Sequence, residues 1–385
     1  MKQITAFGIV LIGFLAAGLA GGQDSDHQAQ KEKIGRYLAL EKDILRAFRA
    51  KEYDKAVAAC KAQSELLPKL PGPHYNLACA LARLGKAEDA LTALARSIEL
   101  GYNDPAHLRE DGDLASLHGS KRFEELLAQA RRSEKQGPFD KGAEIQGMKT
   151  IEGFPEGGLR YRLRMAPSAS KEKPQRLIIW LHPSGGSMNS VVEGMSPGLA
   201  ERGFALLVVT QKQWSGWNEG EARRLFEKTL PEVARIEGID AGRPILLGFS
   251  AGGQMALLLW QKKPGDFGGL VLDAAYPVEM VAVDSAIRLR PMDLPKGEAI
   301  KGTPIFAIVG QADQGGAAVA TWKQASAKWL PAGVPLTLRI VPNKGHQWLF
   351  DQQQAAVLYE WLSQVAAGKL PADKPAEAAS QHPEK

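Results

Sequence analysis

From residue 176 onward the chain repeats one pattern, a short apolar run followed by a longer stretch with helical spacing. The runs are RLIIWL (176–181), FALLVV (204–209), PILLG (244–248), GLVLDA (269–274), PIFAIVG (304–310) and PLTLRIV (335–341), and the clearest helical stretches are 220–237, 251–262, 317–330 and 351–366. Runs that are apolar at consecutive positions, rather than alternating, suit strands buried on both faces of a parallel sheet. Strand–helix alternation of this kind predicts an α/β fold, a doubly wound and mostly parallel sheet with its sites at the carboxyl ends of the strands.

Residues 31–135 carry a different signal. Tyr53, Ala56, Cys60, Leu66 and Pro71 return 34 residues later as Ala87, Ala90, Leu94, Leu100 and Pro105. The unit HYNLACALARLGKAEDALTALARSIEL (74–100) resembles a tetratricopeptide repeat (TPR), with Leu77, Ala78, Gly85 and Ala90 where that family packs two helices and turns between them. A second unit spans about 37 to 70. The stretch NDPAHLREDGDLASLHGSKRFEELLAQARR keeps the register only in part, because Gly112 interrupts its first helix, and it reads as a degenerate closing unit. A small all-α helical-repeat domain is therefore expected. A groove for a peptide or protein partner is one use for such a stack, and a spacer or dimer contact is the other.

The N-terminus reads as an address. Lys2, an apolar run from Ile4 to Ala20 and small residues up to Gly22 have the layout of a secretory signal peptide. Cleavage after Ala20 or Gly22 leaves an exported chain, periplasmic or extracellular, with no stable membrane insertion; a retained N-terminal anchor is the alternative. The expected organisation is a signal peptide (1–22), the repeat domain (31–135), a linker and opening strand (136–157), the α/β domain (158–368) and a Pro/Ala/charge-rich disordered tail (369–385). Two cysteines, Cys60 and Cys79, exclude a disulfide framework, although they could pair or stay as buried thiols. No Cys/His cluster suggests a metal, and no cofactor is expected. The 48 basic and 43 acidic residues are well mixed, so no nucleic-acid partner is expected.

The chemistry concentrates at GFSAGG (248–253). In a chain with 40 glycines the string GxSxG alone says little. Its setting says more, because a buried strand ends at Leu247 and a helix opens after Gly252. Ser250 is therefore expected on a sharp strand-to-helix turn, with Oγ exposed near a helix N-terminus. A hydroxyl needs a base, and His346, in the loop PNKGHQW, is the candidate. His182, at the end of RLIIWL, reads instead as a structural hydrogen-bonder. An orienting carboxylate is expected at Asp313, in VGQADQ, with Asp273 and Asp284 as rivals after an earlier strand. An oxyanion hole needs backbone N–H donors, expected from Ala251 and from the 182–187 loop at Ser184, with Gly185 or Gly186 able to take that role. Pro183 lacks an N–H. Trp214, Trp217 and Trp348 are candidate substrate-binding aromatics, ordinary packing being the other reading. The stretch 275–303, with AAYPVEM, is the candidate cap or substrate-shaping insertion.

From about 157 to 366 the chain resembles the α/β-hydrolase superfamily, in particular its carboxylesterase-like, dienelactone-hydrolase-like and polyhydroxybutyrate-depolymerase-like members. The carrying residues are His182-Pro-Ser-Gly-Gly, Gly248-Phe-Ser-Ala-Gly-Gly, Gly310-Gln-Ala-Asp313 and Gly345-His346. The order Ser250, Asp313, His346 is that superfamily's order. The resemblance implies hydrolysis of a small-molecule or polymeric ester without metal or cofactor, through an acyl-enzyme. Pro183, where many relatives carry Gly, is a departure, and the serine argues against the cysteine chemistry of true dienelactone hydrolases. A serine peptidase or acyltransferase on the same site is an alternative, as is a TPR binding protein whose hydrolase domain is non-catalytic.

Overall fold

The computed structural model of the protein describes residues 24–102, 104–136, 139–210, 217, 219–283 and 286–373. The expected signal peptide, Trp214, Asp284 and most of the expected tail lie outside the described residues.

The N-terminal part is helical. Its helices are α1 (Asp24–Ala50), α2 (Tyr53–Leu66), α3 (Pro71–Arg83), α4 (Ala87–Glu99), α5 (Pro105–Glu110) and α6 (Lys121–Gln136). Helices α2, α4 and α6 begin 34 residues apart, and so do α3 and α5. Short connections fold α1–α2 and α3–α4 into packed pairs. The turn after α3 passes through Gly85 at φ 74°, a left-handed position that favours glycine. Helix α4 has the clearest two-sided pattern and buries Ala90, Leu91, Leu94 and Ile98. These join Ile44, Ala56, Cys60, Ala78, Leu108 and Leu127 in one core that no single pair could close. Both cysteines are free thiols inside this core. Helix α5 stops at Glu110, and the Asp111 side chain accepts from the Asp113 N–H to start a 3₁₀ turn, Gly112–Leu117.

The C-terminal part is a sheet with helices on both faces. Its strands are β1 (Lys149–Gly153), β2 (Tyr161–Met165), β3 (Gln175–Leu181), β4 (Phe204–Val209), β5 (Ile239–Phe249), β6 (Gly269–Asp273), β7 (Val278–Val283), β8 (Ala286–Pro291), β9 (Ile305–Gly310) and β10 (Leu336–Val341). Among the described residues, eight of them form one sheet in the order β1-β2-β4-β3-β5-β6-β9-β10. β2 runs antiparallel to both neighbours, and β4, β3, β5, β6, β9 and β10 are mutually parallel. A mostly parallel sheet of this order with an antiparallel second strand matches an α/β-hydrolase fold.

The connecting helices are α7 (Asn189–Glu193), α8 (Ser196–Ala200), α9 (Glu219–Arg224), α10 (Leu230–Val233), α11 (Ala251–Lys262), α12 (Ala317–Trp329) and α13 (Gln352–Ala366). A π turn, Leu225–Thr229, joins α9 to α10. One core, with Leu177, Leu207, Trp260 and Trp322, covers one face, and the other, with Trp180, Phe204, Phe306 and Trp361, covers the opposite face. This two-face burial is what the unbroken apolar runs require. Strands β7 and β8 form a separate antiparallel hairpin inside the stretch 275–303. Among the described residues no helix is long and apolar enough to cross a membrane.

Candidate active site

The site is built where β3, β5, β6 and β9 end. Strand β5 finishes at Phe249 and α11 starts at Ala251, which leaves Ser250 alone on the turn at φ 53°, ψ −118°. An L-residue is strained there, and the surrounding structure must hold it. The glycines of GFSAGG make this possible. A Cβ on Gly248 would collide with the backbone of Gly252 and Gly253, and one on Gly252 with the Leu181 carbonyl at the end of β3. The Ser250 N–H donates to the Asp273 carbonyl and the Gln254 N–H to the Ser250 carbonyl, both at 2.9 Å. The bend is thus locked to β6 on one side and to its own helix on the other.

Ser250 Oγ lies 2.9 Å from His346 Nε2. His346 arrives from the loop after β10. That loop crosses the end of β9 so closely that a Cβ at Gly310 would collide with the carbonyls of Lys344 and Gly345. The Leu349 N–H donates to Asp273 Oδ2 at 2.9 Å, which pins the same loop to β6. His346 Nδ1 lies 3.2 Å from Asp313 Oδ2; the imidazole side chain is 20% exposed and the carboxylate fully buried. Distant segments therefore bring hydroxyl, imidazole and carboxylate into one hydrogen-bonded row.

Asp273 occupies a different place. Its carboxyl bonds the Leu349 N–H through Oδ2, and its Oδ1 has no partner among the described residues. Complete burial, and secondarily the charge of Asp313, push it well above the usual carboxylate range.

Ala251 is the first residue of α11, so its N–H belongs to the first-turn amides that have no intrahelical acceptor. Ser184 lies in the loop after β3, and its Oγ is buried without a partner among the described residues. That loop is braced from several sides. Trp180 Nε1 donates to the Ser187 carbonyl at 2.9 Å, Ser187 Oγ to Asp140 Oδ2 at 3.0 Å, and Asn189 Nδ2 to the Val209 carbonyl at 2.7 Å. His182 is buried, which pushes its imidazole down to about 4 and keeps it neutral; its Nδ1 is 2.8 Å from the Pro183 carbonyl. Trp217 is 1% exposed, stacks on His182 at 4.7 Å and donates Nε1–H to the His182 carbonyl at 3.0 Å. Trp217 therefore braces the loop from the interior, packed against the His182 ring. Trp348 is half-buried, edge-on to Trp180 and Phe249.

Two residues at the site were not singled out in the sequence. Phe249, the variable position inside GxSxG, lays its ring against His346 at 5.6 Å and 29°. Tyr276 donates from Oη to Asp313, 2.9 Å from both carboxylate oxygens, and the same Oη lies 2.7 Å from His346 Nδ1. The signal for Phe249 was its adjacency to the serine. Tyr276 had a weaker one, its place three residues beyond a buried strand's carboxyl end.

No protein-family model matches the chain. Over 107 residues it is 36% identical to the probable feruloyl esterase C of Aspergillus flavus, a match covering 26% of this chain and 40% of that protein. Over 148 residues it is 28% identical to a chloroplastic protein of Arabidopsis thaliana, covering 37% of this chain and 42% of that one. The chain thus spans about two fifths of the length of these curated relatives. Among solved structures it is similar to a CE1 ferulic acid esterase from Anaeromyces mucronatus in complex with ferulic acid, with a TM-score of 0.45 and 15% identity over 61% of this chain and 97% of that one.

Proposed function

We propose that the protein is an exported serine hydrolase that cleaves carboxylic esters through Ser250, His346 and Asp313, with the helical domain serving as a TPR-type docking module. The observation that carries this reading is the 2.9 Å contact between His346 Nε2 and a serine hydroxyl held at φ 53° on a strand-to-helix turn. His346 takes the Ser250 proton as Oγ attacks the acyl carbon. The oxyanion is received by the N–H groups of Ala251 and Ser184, where the α11 dipole favours negative charge. His346 then protonates the leaving alcohol, and water repeats the cycle on the acyl-enzyme. Asp313 holds the imidazole in the required tautomer.

An aromatic acid ester is the favoured substrate class. Phe249 lays its ring against the imidazole and Trp348 stands edge-on to Phe249, and the similarity to feruloyl esterases supports the same choice. The regular helix spacing supports the TPR-type reading, and the apolar N-terminal run supports export.

Labelling with a fluorophosphonate tests the site directly. The wild-type chain is expected to be modified at Ser250, and Ser250→Ala to be inert at unchanged fold. A folded wild type that resists the reagent and hydrolyses no aryl ester would overturn the assignment and leave a binding protein in its place.

A further inference from the structure

The Asp313 carboxyl is fully buried, so it needs hydrogen-bond partners. His346 supplies one through Nδ1. Among the described residues its other donor is the phenol of Tyr276, equidistant from Oδ1 and Oδ2 at 2.9 Å. The phenol oxygen is also nearer to His346 Nδ1 (2.7 Å) than Asp313 Oδ2 is (3.2 Å). A single arrangement of protons satisfies all four distances. Nδ1–H is shared between the Tyr276 oxygen and Asp313 Oδ2, and the Tyr276 hydroxyl proton points at the carboxylate. Burial and the neighbouring Asp313 charge both raise the phenol's pKa, so it keeps that proton.

The backbone places Tyr276 for this work. After β6 the chain turns through Ala274 at φ 46°, an uncommon conformation for alanine. The Ala274 N–H is bonded to the Ile308 carbonyl of β9 at 3.0 Å, and the Trp322 indole N–H to the Ala275 carbonyl at 2.7 Å. The segment ahead of Tyr276 is thereby fixed to the strand that carries Asp313 and to the helix that follows it.

We propose that Tyr276 is a positioning residue of the proposed hydrolase, a phenol inserted between His346 and Asp313 that fixes the imidazole and divides its proton between two oxygens. The inference rests on the Ser250–His346–Asp313 reading. The groups facing His346 are Ser250 and Phe249 from the β5–α11 turn, Tyr276 from the segment after β6, and Asp313 from the end of β9, with Asp273 behind Asp313. Removing the hydroxyl leaves the carboxylate to bind Nδ1–H alone. The unshared charge then holds the protonated imidazole more tightly, so the base stays protonated to higher pH.

The test uses the full chain and 4-nitrophenyl acetate, with fluorophosphonate labelling in parallel. Tyr276→Phe keeps the ring and is expected to lower kcat about 10- to 100-fold, the range for losing a hydrogen bond to a charged group, with KM little changed. The acid limb of its kcat/KM profile is expected at higher pH than the wild type's. In an Asp313→Asn background the same change should have less than about a twofold effect, because the carboxylate that Tyr276 serves is gone. An unmoved acid limb, or an equal loss in both backgrounds, would overturn the Tyr276 role while labelling of the wild type left the hydrolase reading standing. A wild type that neither labels nor turns over would overturn both.

Discussion

At the scale of single residues, the site depends on which buried carboxyl meets the imidazole. Asp273 and Asp313 follow neighbouring strands, and either could have been the partner of an imidazole. Only Asp313 lies against His346, and it has two donors. Among the described residues Asp273 has a single backbone donor, and burial holds its carboxyl well above the usual range. The native state therefore keeps a proton that the unfolded chain releases above a pH of about 4. The stability this group contributes is full below that pH and is lost as pH rises toward the folded-state value. Asp273→Asn cannot ionise, so its melting temperature relative to wild type should improve from about pH 5 to pH 8, with turnover kept. Thermal melts across that range check this, and a variant that falls further behind as pH rises would show Asp273 to be ionised.

Among the elements, the strands buried on both faces were legible because every position had to be apolar. The helix after Ser250 was legible because its start coincides with the glycines that let it approach β3. Strand β2 was not, and the reason is local chemistry. YRLRM alternates like a half-exposed strand, yet all five residues are buried. Arg162 and Arg164 point inward and converge on Glu193 of α7, itself 1% exposed, at 3.0 and 3.1 Å. Glu152 of β1 completes the pairing of Arg162 at 3.0 Å. Charge satisfied by charge reads in sequence as surface. Glu193→Ala would strand two buried guanidinium groups, and is expected to cost about 3–5 kcal/mol, measurable by urea denaturation. A loss below about 1 kcal/mol would mean that water reaches the cluster. The β7–β8 hairpin was also missed as a hairpin. The sequence marks 275–303 as an insertion, but nothing in its composition says which strands pair.

In the whole molecule, the helical part meets the α/β part at the β7–β8 hairpin and at α9. Helix α1 packs on the β7–β8 hairpin, which grows from the segment carrying Tyr276. Arg223 of α9, beyond the carboxyl end of β4, pairs with Asp104 at 2.8 Å and with Glu110 at 3.8 Å. Arg223→Ala should loosen this seam by about 1 kcal/mol, the scale of a partly exposed ion pair. Limited proteolysis is expected to cut faster around residues 139–148 while hydrolysis of a small ester is kept, and unchanged proteolysis would show that the hairpin contact alone holds the two parts. By itself the sequence determined the period of the helices, the buried strands and the residue types able to do nucleophilic chemistry. Local patterns suffice for these, since burial and turn geometry act within a few residues. The inward arginines of β2, the bracing role of Trp217 and the arrival of Tyr276 between His346 and Asp313 were decided only by the tertiary structure. Each depends on which strand ends come together, and hydrogen bonds between residues tens of positions apart leave no periodic trace in the chain.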